Sequence, residues 1–253
     1  MKDINENRIY PLLVGMMGSL KGAITHLLDM AIPCVGPALV FYLEGGRQKI
    51  LVDTGVGGPE GVIEALNGIG LKPQDIDTVI LTHLHFDHAD NVSLFSRARF
   101  ILQRKEWEYA RSPLPIQRSL YKPQTLRELE HLDLVLVGDG YEVDPGVNVI
   151  LVPGHTQGQQ AVVVNTGQGR YVLAGDLLYC RLNIYPGITE FTDMTGKRIA
   201  CTPQPDHAFY PPGIHTDLSD WYESVGKVLS YAGNRNRIVP GHESELVGKI
   251  IPY

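Results

Sequence analysis

The sequence predicts an α/β fold. Three observations carry this. Short apolar, β-branched runs alternate with stretches of helical apolar spacing, several runs pair across glycine-containing turns, and no repeat, low-complexity tract or linker divides the 253 residues. One domain over residues 1–253 is expected.

The elements follow in order. Residues 38–43 and 49–52 are apolar runs around Gly45-Gly46, the pattern of a hairpin. Residues 59–68 set Val62, Ile63 and Leu66 at helical spacing and stop at Gly68. Residues 78–81 form the next strand, which runs straight into Thr82-His83-Leu84-His85-Phe86-Asp87-His88. Residues 99–102 read as a strand, 104–110 as a helix, 111–122 as a proline-containing loop and 126–131 as a helix. Strands follow at 134–137, 147–152, 161–164 and 171–173. Residues 181–216 are rich in Pro, Gly and polar residues. That is long for a structureless connection, so the segment is a candidate lid or substrate loop. Residues 217–231 make an amphipathic helix through Leu218, Trp221, Tyr222, Val225, Val228 and Leu229, and residues 238–239 a last strand before Pro240-Gly241-His242. Residues 11–35 are unusually apolar and include Met16, Met17 and Met30. Core packing or a homodimer contact is the plain reading, an apolar surface that adapts to varied partners the functional one.

Composition narrows the function. Lys and Arg total 22 against 28 Asp and Glu, a net charge of -6. This argues against nucleic-acid binding through counterion release and against a polybasic membrane surface. The longest charge-free apolar stretch, residues 30–43, is interrupted by Pro33 and Pro37 and is too short to span a bilayer. Three cysteines without a CxxC spacing exclude a disulfide scaffold and suit a reducing compartment. The first eight residues are charged and lack the apolar core of a leader peptide. The expectation is a soluble, cytoplasmic protein.

Five of the nine histidines, His83, His85, His88, His155 and His242, sit at strand ends or in glycine-flanked turns, as do Asp87 and Asp176. Imidazole and carboxylate suit zinc and similar divalent ions. In extended backbone His83 and His85 point the same way and can grip one ion. If the chain turns helical near residue 87, Asp87 and His88 point toward a second. His155 and His242 supply one further imidazole each, and Asp176 is the bridging candidate. A lone His-x-His would carry little weight. His-x-His-x-Asp-His directly after an apolar strand carries much more, because it concentrates costly polar groups where a sheet ends. His26, His131, His207 and His215 read as surface or helix-end residues.

These motifs, with Asp53-Thr54-Gly55 upstream and Gly154-His155, Gly175-Asp176 and Gly241-His242 downstream, resemble the metallo-β-lactamase superfamily. The resemblance implies a four-layer αβ/βα sandwich with two metal ions at the edge of two facing sheets, and a structural rather than ligating Asp53. Within the superfamily the chain is most similar to the N-acyl-homoserine lactonases. Leu84-His85-Phe86-Asp87-His88-Ala89 matches that group's loop, and Tyr179 falls where it carries a catalytic tyrosine. Two departures bear on the substrate rather than the ligands. Asp90-Asn91 stands where the group has Gly-Gly-Asn, and Gln159 and Gln160 stand near the place of a second histidine.

The resemblance implies a dinuclear-metal hydrolase that opens a lactone by attack of a hydroxide shared between the ions, with Tyr179 donating to the oxyanion and Asp87 ferrying a proton. Zinc is the default, and manganese, iron and cobalt are compatible. Any polarised carbonyl suits such a core, so a thioester, ester, amide or cyclic amide is the alternative substrate. The glutathione thioesterases should carry more basic residues near the C-terminus than Arg235, Arg237 and Lys249. The complete set of Asp87, His88 and His242 argues against mononuclear-iron oxidases of this fold. A ligand sensor that keeps the site without turnover is the third class.

Overall fold

The computed structural model describes residues 7–252. Most of the charged start therefore lies outside the described residues.

Six strands form the first sheet, in spatial order β1 (Arg8–Leu20), β2 (Pro33–Glu44), β3 (Ile50–Val52), β4 (Thr78–Ile80), β5 (Arg99–Gln103) and β6 (Asp133–Val137). The β1–β2 and β2–β3 pairs are antiparallel, and β3 to β6 run parallel. Parallel strands need crossovers. The first helix, α1 (Lys21–Ile24), links β1 toward β2. Crossovers among the parallel strands contain α2 (Pro59–Asn67), α3 (Phe86–Ala89), α4 (Arg104–Ala110) and α5 (Pro123–Leu129). The second sheet holds β7 (Tyr141–Asp144), β8 (Val147–Leu151), β9 (Gln160–Thr166) and β10 (Gly169–Leu173), with β13 (Ile238–Val239) beside β10.

Alternation along each strand sorts the cores. Ile50, Val52, Ile80 and Ile101 face the second sheet and pack on Val149, Val162, Val164 and Leu173. Their neighbours Leu51, Val79 and Phe100 face the other way, against Val62 and Leu66 of α2, Trp107 of α4 and Leu129 of α5. Behind the second sheet, Ile150, Val163 and Val172 meet Trp221, Val225 and Val228. These lie on α7 (Leu218–Ala232), which is capped by Asp217 and ended by Gly233 at φ 78°. The layers are therefore helix, sheet, sheet, helix.

The geometry places the site. The parallel strands β3 and β4 end at Asp53 and at the Thr82–His88 run. In the second sheet β8, β10 and β13 share one direction, because β9 is antiparallel to both β8 and β10 while β13 is parallel to β10. Their ends lead into His155, Asp176 and His242. The carboxyl ends of both sheets thus deliver the titratable residues to one edge.

Three segments differ from expectation. Residues 8–20 form a 13-residue strand rather than an undefined apolar stretch; a bulge between Leu13 and Gly15 breaks its alternation. A further strand, β7, is present where polar residues carry no strand signal. Residues 181–216 are not structureless. They hold α6 (Arg181–Ile184) and a hairpin of β11 (Glu190–Thr192) and β12 (Arg198–Ala200), and they pack on residues 21–35. Asn183 Nδ2 donates to Ile24 O at 2.8 Å, the His26 amide to Pro211 O at 2.9 Å and the Met194 amide to Val35 O at 2.9 Å. Arg181 and Arg198 face outward, paired with Glu245 and Glu190.

Asp29 helps hold these segments together. It pairs with the buried Lys21 and accepts from the Thr202 amide and hydroxyl at 2.9 and 2.8 Å. Burial raises its pKa, but Lys21 and Thr202 outweigh that and bring it to about 2, below the ordinary 3.8. A depressed carboxyl pKa stabilises the fold above the unfolded value, and that stabilisation is lost as pH falls through the folded value. Thermal unfolding of wild type and Asp29→Asn should therefore show a constant gap above about pH 4 that narrows toward pH 2. A gap independent of pH would refute the assignment.

Candidate metal centre

His83 and His85 lie between β4 and α3, and His85 is the residue just before the helix begins. The chain turns there, so Asp87 and His88 in the helix join a separate cluster, although the His83 and His88 rings stay 4.2 Å apart between centroids. The seven sequence-selected residues fall into two groups. One holds His83, His85 and His155, and the other Asp87, His88, Asp176 and His242, with ligand-type atoms in each group within 4.8 Å of one another. His155 Nε2 stands 2.9 Å from His85 Nδ1 and 3.2 Å from His83 Nε2.

Asp176 faces both groups. Its Oδ1 is 3.0 Å from His88 Nε2 and 2.9 Å from His242 Nε2, while its Oδ2 is 3.6 Å from His155 Nε2. Asp87 Oδ2 is 3.7 Å from both His88 Nε2 and His242 Nε2.

Partners behind the imidazoles assign their tautomers. His155 Nδ1 donates to Ile214 O, His242 Nδ1 to Pro37 O, and His88 Nδ1 to Asp53 Oδ2, at 2.9, 2.9 and 2.7 Å. Each leaves its Nε2 facing inward. Asp53 sits at φ 64° and also accepts from the Thr82 amide and hydroxyl. It orients His88 and the start of the histidine run from behind.

The residues fit divalent ions. His85 Nε2, His88 Nε2 and Asp176 Oδ1 are buried without hydrogen-bond partners; the close approach of the last two lacks hydrogen-bond alignment. Burial, reinforced by neighbouring imidazoles, holds His83 and His85 well below the ordinary histidine pKa. Burial also lowers His155. All three therefore present lone pairs at neutral pH. In the second group burial also lowers His88 and His242, but the carboxylates led by Asp176 outweigh it and raise both. A cation in that group would take over the charge those protons carry.

Tyr179 lies beside the centre, its ring 5.7 Å from His155 and 5.4 Å from His242 between centroids. Burial, then Asp176 and Asp87, push its pKa well above 10.0, so it is a proton donor at neutral pH. A cavity of about 440 Å³ opens onto Asp87, Asp176, Tyr179 and His242, with an apolar wall that includes Met17, Ile24, Leu120 and Ile214. Residues 11–35 thus serve two purposes: Met17 and Ile24 line the cavity while Leu12 and Val14 sit in the core.

The departures at residues 90–91 and 159–160 have structural accounts. Asp90 accepts from the Gly57 amide and from Lys122, and Asn91 Nδ2 donates to Thr54 O, tying α3 to the loop after β3. Gln159 Nε2 donates to Ala174 O, beside the turn of Asp176. Sequence reasoning missed Thr82 and the buried Glu106 of α4, which hold the loops that carry the histidines.

A two-sheet sandwich with this His/Asp edge defines a class of proteins built to hold metal ions where the two sheets meet. The chain belongs to the metallo-β-lactamase superfamily, whose pattern matches residues 35–242. It is 34% identical over 176 residues to an N-acyl homoserine lactonase of Bacillus cereus. That match covers 58% of this chain and 66% of the relative, just under two thirds of its length. An N-acyl homoserine lactonase of a Bacillus species is 30% identical over 62% of this chain and 68% of its own length. Among solved structures, a quorum-quenching N-acyl homoserine lactone hydrolase shares the fold with a TM-score of 0.76 and 24% identity, covering 100% of this chain and 99% of that one. A probable metal-dependent hydrolase from Staphylococcus aureus has a TM-score of 0.77 at 17% identity, covering 95% of this chain and 91% of its own.

Proposed function

We propose that the protein is a dinuclear-metal hydrolase that opens the ring of an N-acyl homoserine lactone or a related lactone. The observation that carries the dinuclear reading is Asp176, one carboxylate whose two oxygens face two separate ligand groups. The similarity to the Bacillus lactonases supports the substrate class.

His83, His85 and His155 would hold one ion, and Asp87, His88 and His242 the other, with Asp176 shared. When bound, two such ions polarise a carbonyl and lower the pKa of water toward 7. Zinc suits this imidazole and carboxylate set. Tyr179 donates a hydrogen bond to the carbonyl oxygen as negative charge collects there. Asp87, on the cavity wall, accepts a proton from the attacking water and passes it to the departing ring oxygen. The new bond joins water oxygen to the carbonyl carbon, and the ester C–O bond breaks. The product is a hydroxy acid, which releases a proton at neutral pH. The apolar wall of Met17, Ile24, Leu120 and Ile214 accommodates an acyl chain. Among the described residues no helix is long and apolar enough to cross a membrane. The free thiols of Cys34, Cys180 and Cys201 suit a reducing compartment, which supports a cytoplasmic enzyme acting on a diffusible substrate.

Proton release from short- and long-chain N-acyl homoserine lactones by the zinc-loaded protein tests this directly. Tyr179→Phe should lower kcat by about 10²–10³-fold, the usual effect of removing an oxyanion donor, and leave metal content unchanged. No turnover of any lactone by protein with two bound ions would overturn the lactonase reading and move the search to thioesters and amides.

A further inference from the structure

We propose that Glu106 is a positioning residue for the His83, His85 and His155 group: its buried carboxylate ties the turn carrying the first two histidines to the turn carrying the third. The inference rests on the reading that this group holds an ion.

Glu106 is fully buried in the first turn of α4. Its Oε1 accepts from the Leu84 amide at 3.0 Å, between His83 and His85, and from the Tyr121 hydroxyl at 3.2 Å. Its Oε2 accepts from the Thr156 hydroxyl at 2.6 Å, next to His155. The Gly158 amide donates to the same carboxylate. Tyr121 in turn packs its ring against His85, with 4.9 Å between centroids, and pairs with it through a backbone bridge. A second strut from α4 reaches the same turn. Tyr109 donates to Gln117 Oε1 at 2.9 Å, and Gln117 Nε2 donates to His155 O at 3.3 Å.

The hydrogen bonds of Glu106 go to amides and hydroxyls rather than to an imidazole, so it acts through the backbone on either side. Leu84 separates His83 from His85, and Thr156 follows His155. If either turn slid, the 2.9 and 3.2 Å approaches of His155 to its two partners would change. Burying a carboxylate is expensive unless it is well satisfied, and stability alone is served as well by an apolar group of similar shape. A charged hub that accepts from three separate loops instead fixes their relative placement. Gln is nearly isosteric but a poorer hub. The Tyr121 and Thr156 hydroxyls can reverse and accept, whereas the Leu84 and Gly158 amides can only donate.

The test is metal binding, read without substrate. Zinc affinity is measured by competition with a chromophoric chelator, and cobalt-substituted protein gives a ligand-field spectrum. Glu106→Gln should keep the wild-type circular dichroism yet bind one of its two ions about 10–100-fold more weakly, as for other partners behind metal ligands. Its cobalt spectrum should change, and the other ion should keep its affinity. Two ions bound with wild-type affinity and an unaltered spectrum would overturn the proposal. If Glu106→Gln does not fold, Thr156→Val keeps the side-chain shape and removes the hydroxyl that bonds Glu106 and Tyr121. The same selective weakening of one ion, of several-fold, is then expected, and its absence overturns the proposal. Fewer than two ions on the wild-type chain would defeat the underlying metal reading, an outcome visible before any variant is made.

Discussion

Replacing Asp176 with alanine is expected to lower lactone turnover by about 10³-fold, the loss of about 4 kcal/mol of transition-state stabilisation, and to reduce bound metal below two equivalents. Its two oxygens face opposite ligand groups, so on the proposed reading the substitution would strip a ligand from both sites at once. It also removes the group whose charge does most to raise His88 and His242, so those imidazoles lose their main electrostatic partner. Asp87 supplies the contrast. It belongs to one group only and is partly exposed, so Asp87→Ala should spare the ion held by His83, His85 and His155. Metal content by mass spectrometry after dialysis, beside the rate, distinguishes the two variants. Asp176→Ala protein with two tightly held ions would refute the shared-carboxylate arrangement.

The contrast between these residues also explains what could be read in the sequence. The His83 to His88 run was legible because its signal is local: costly polar groups crowd the end of an apolar strand, and the change from extended to helical backbone near residue 87 assigns His83 and His85 to one cluster and Asp87 and His88 to another. The strands that carry Leu51, Val79 and Phe100 were legible for the same reason, since each is a local apolar run, but which of their residues face which layer was not. The first strand was not. Its bulge leaves Val14 without a partner between Leu13, opposite Leu39, and Gly15, opposite Ala38, so the period-2 pattern slips midway. Glu106 was hidden more deeply. In Arg104-Lys105-Glu106-Trp107-Glu108 it looks like one charge on a solvated helix face. Its burial is decided by Leu84, 22 residues before it, and Thr156, 50 residues after, and no local pattern carries that information.

The same long-range packing makes Gly158 the most demanding glycine near the site. A Cβ there would stand 1.9 Å from the Glu106 nitrogen, 2.3 Å from its Cα and 2.5 Å from the Lys105 carbonyl carbon. All three atoms are backbone, so no rotamer change relieves the clash; either the start of α4 or the His155 turn must move. Gly158→Ala should therefore destabilise the protein by about 4 kcal/mol, above the usual range for overpacking, and lower the unfolding midpoint by roughly 10 °C. The displacement also breaks the Gly158 and Thr156 contacts to Glu106, so the affinity for one ion should fall with it. Gly226 is the control. It lies on the exposed face of α7, and a methyl group added there would meet nothing within 4 Å beyond its chain neighbours and its own helix backbone, so Gly226→Ala should stabilise by about 0.5–1 kcal/mol through helix propensity and leave metal binding alone. Midpoints measured with chelator present separate the packing cost from any lost metal stabilisation. If Gly158→Ala unfolds at the wild-type temperature, α4 does not press on the His155 turn as described, and the route by which Glu106 positions that histidine loses its support.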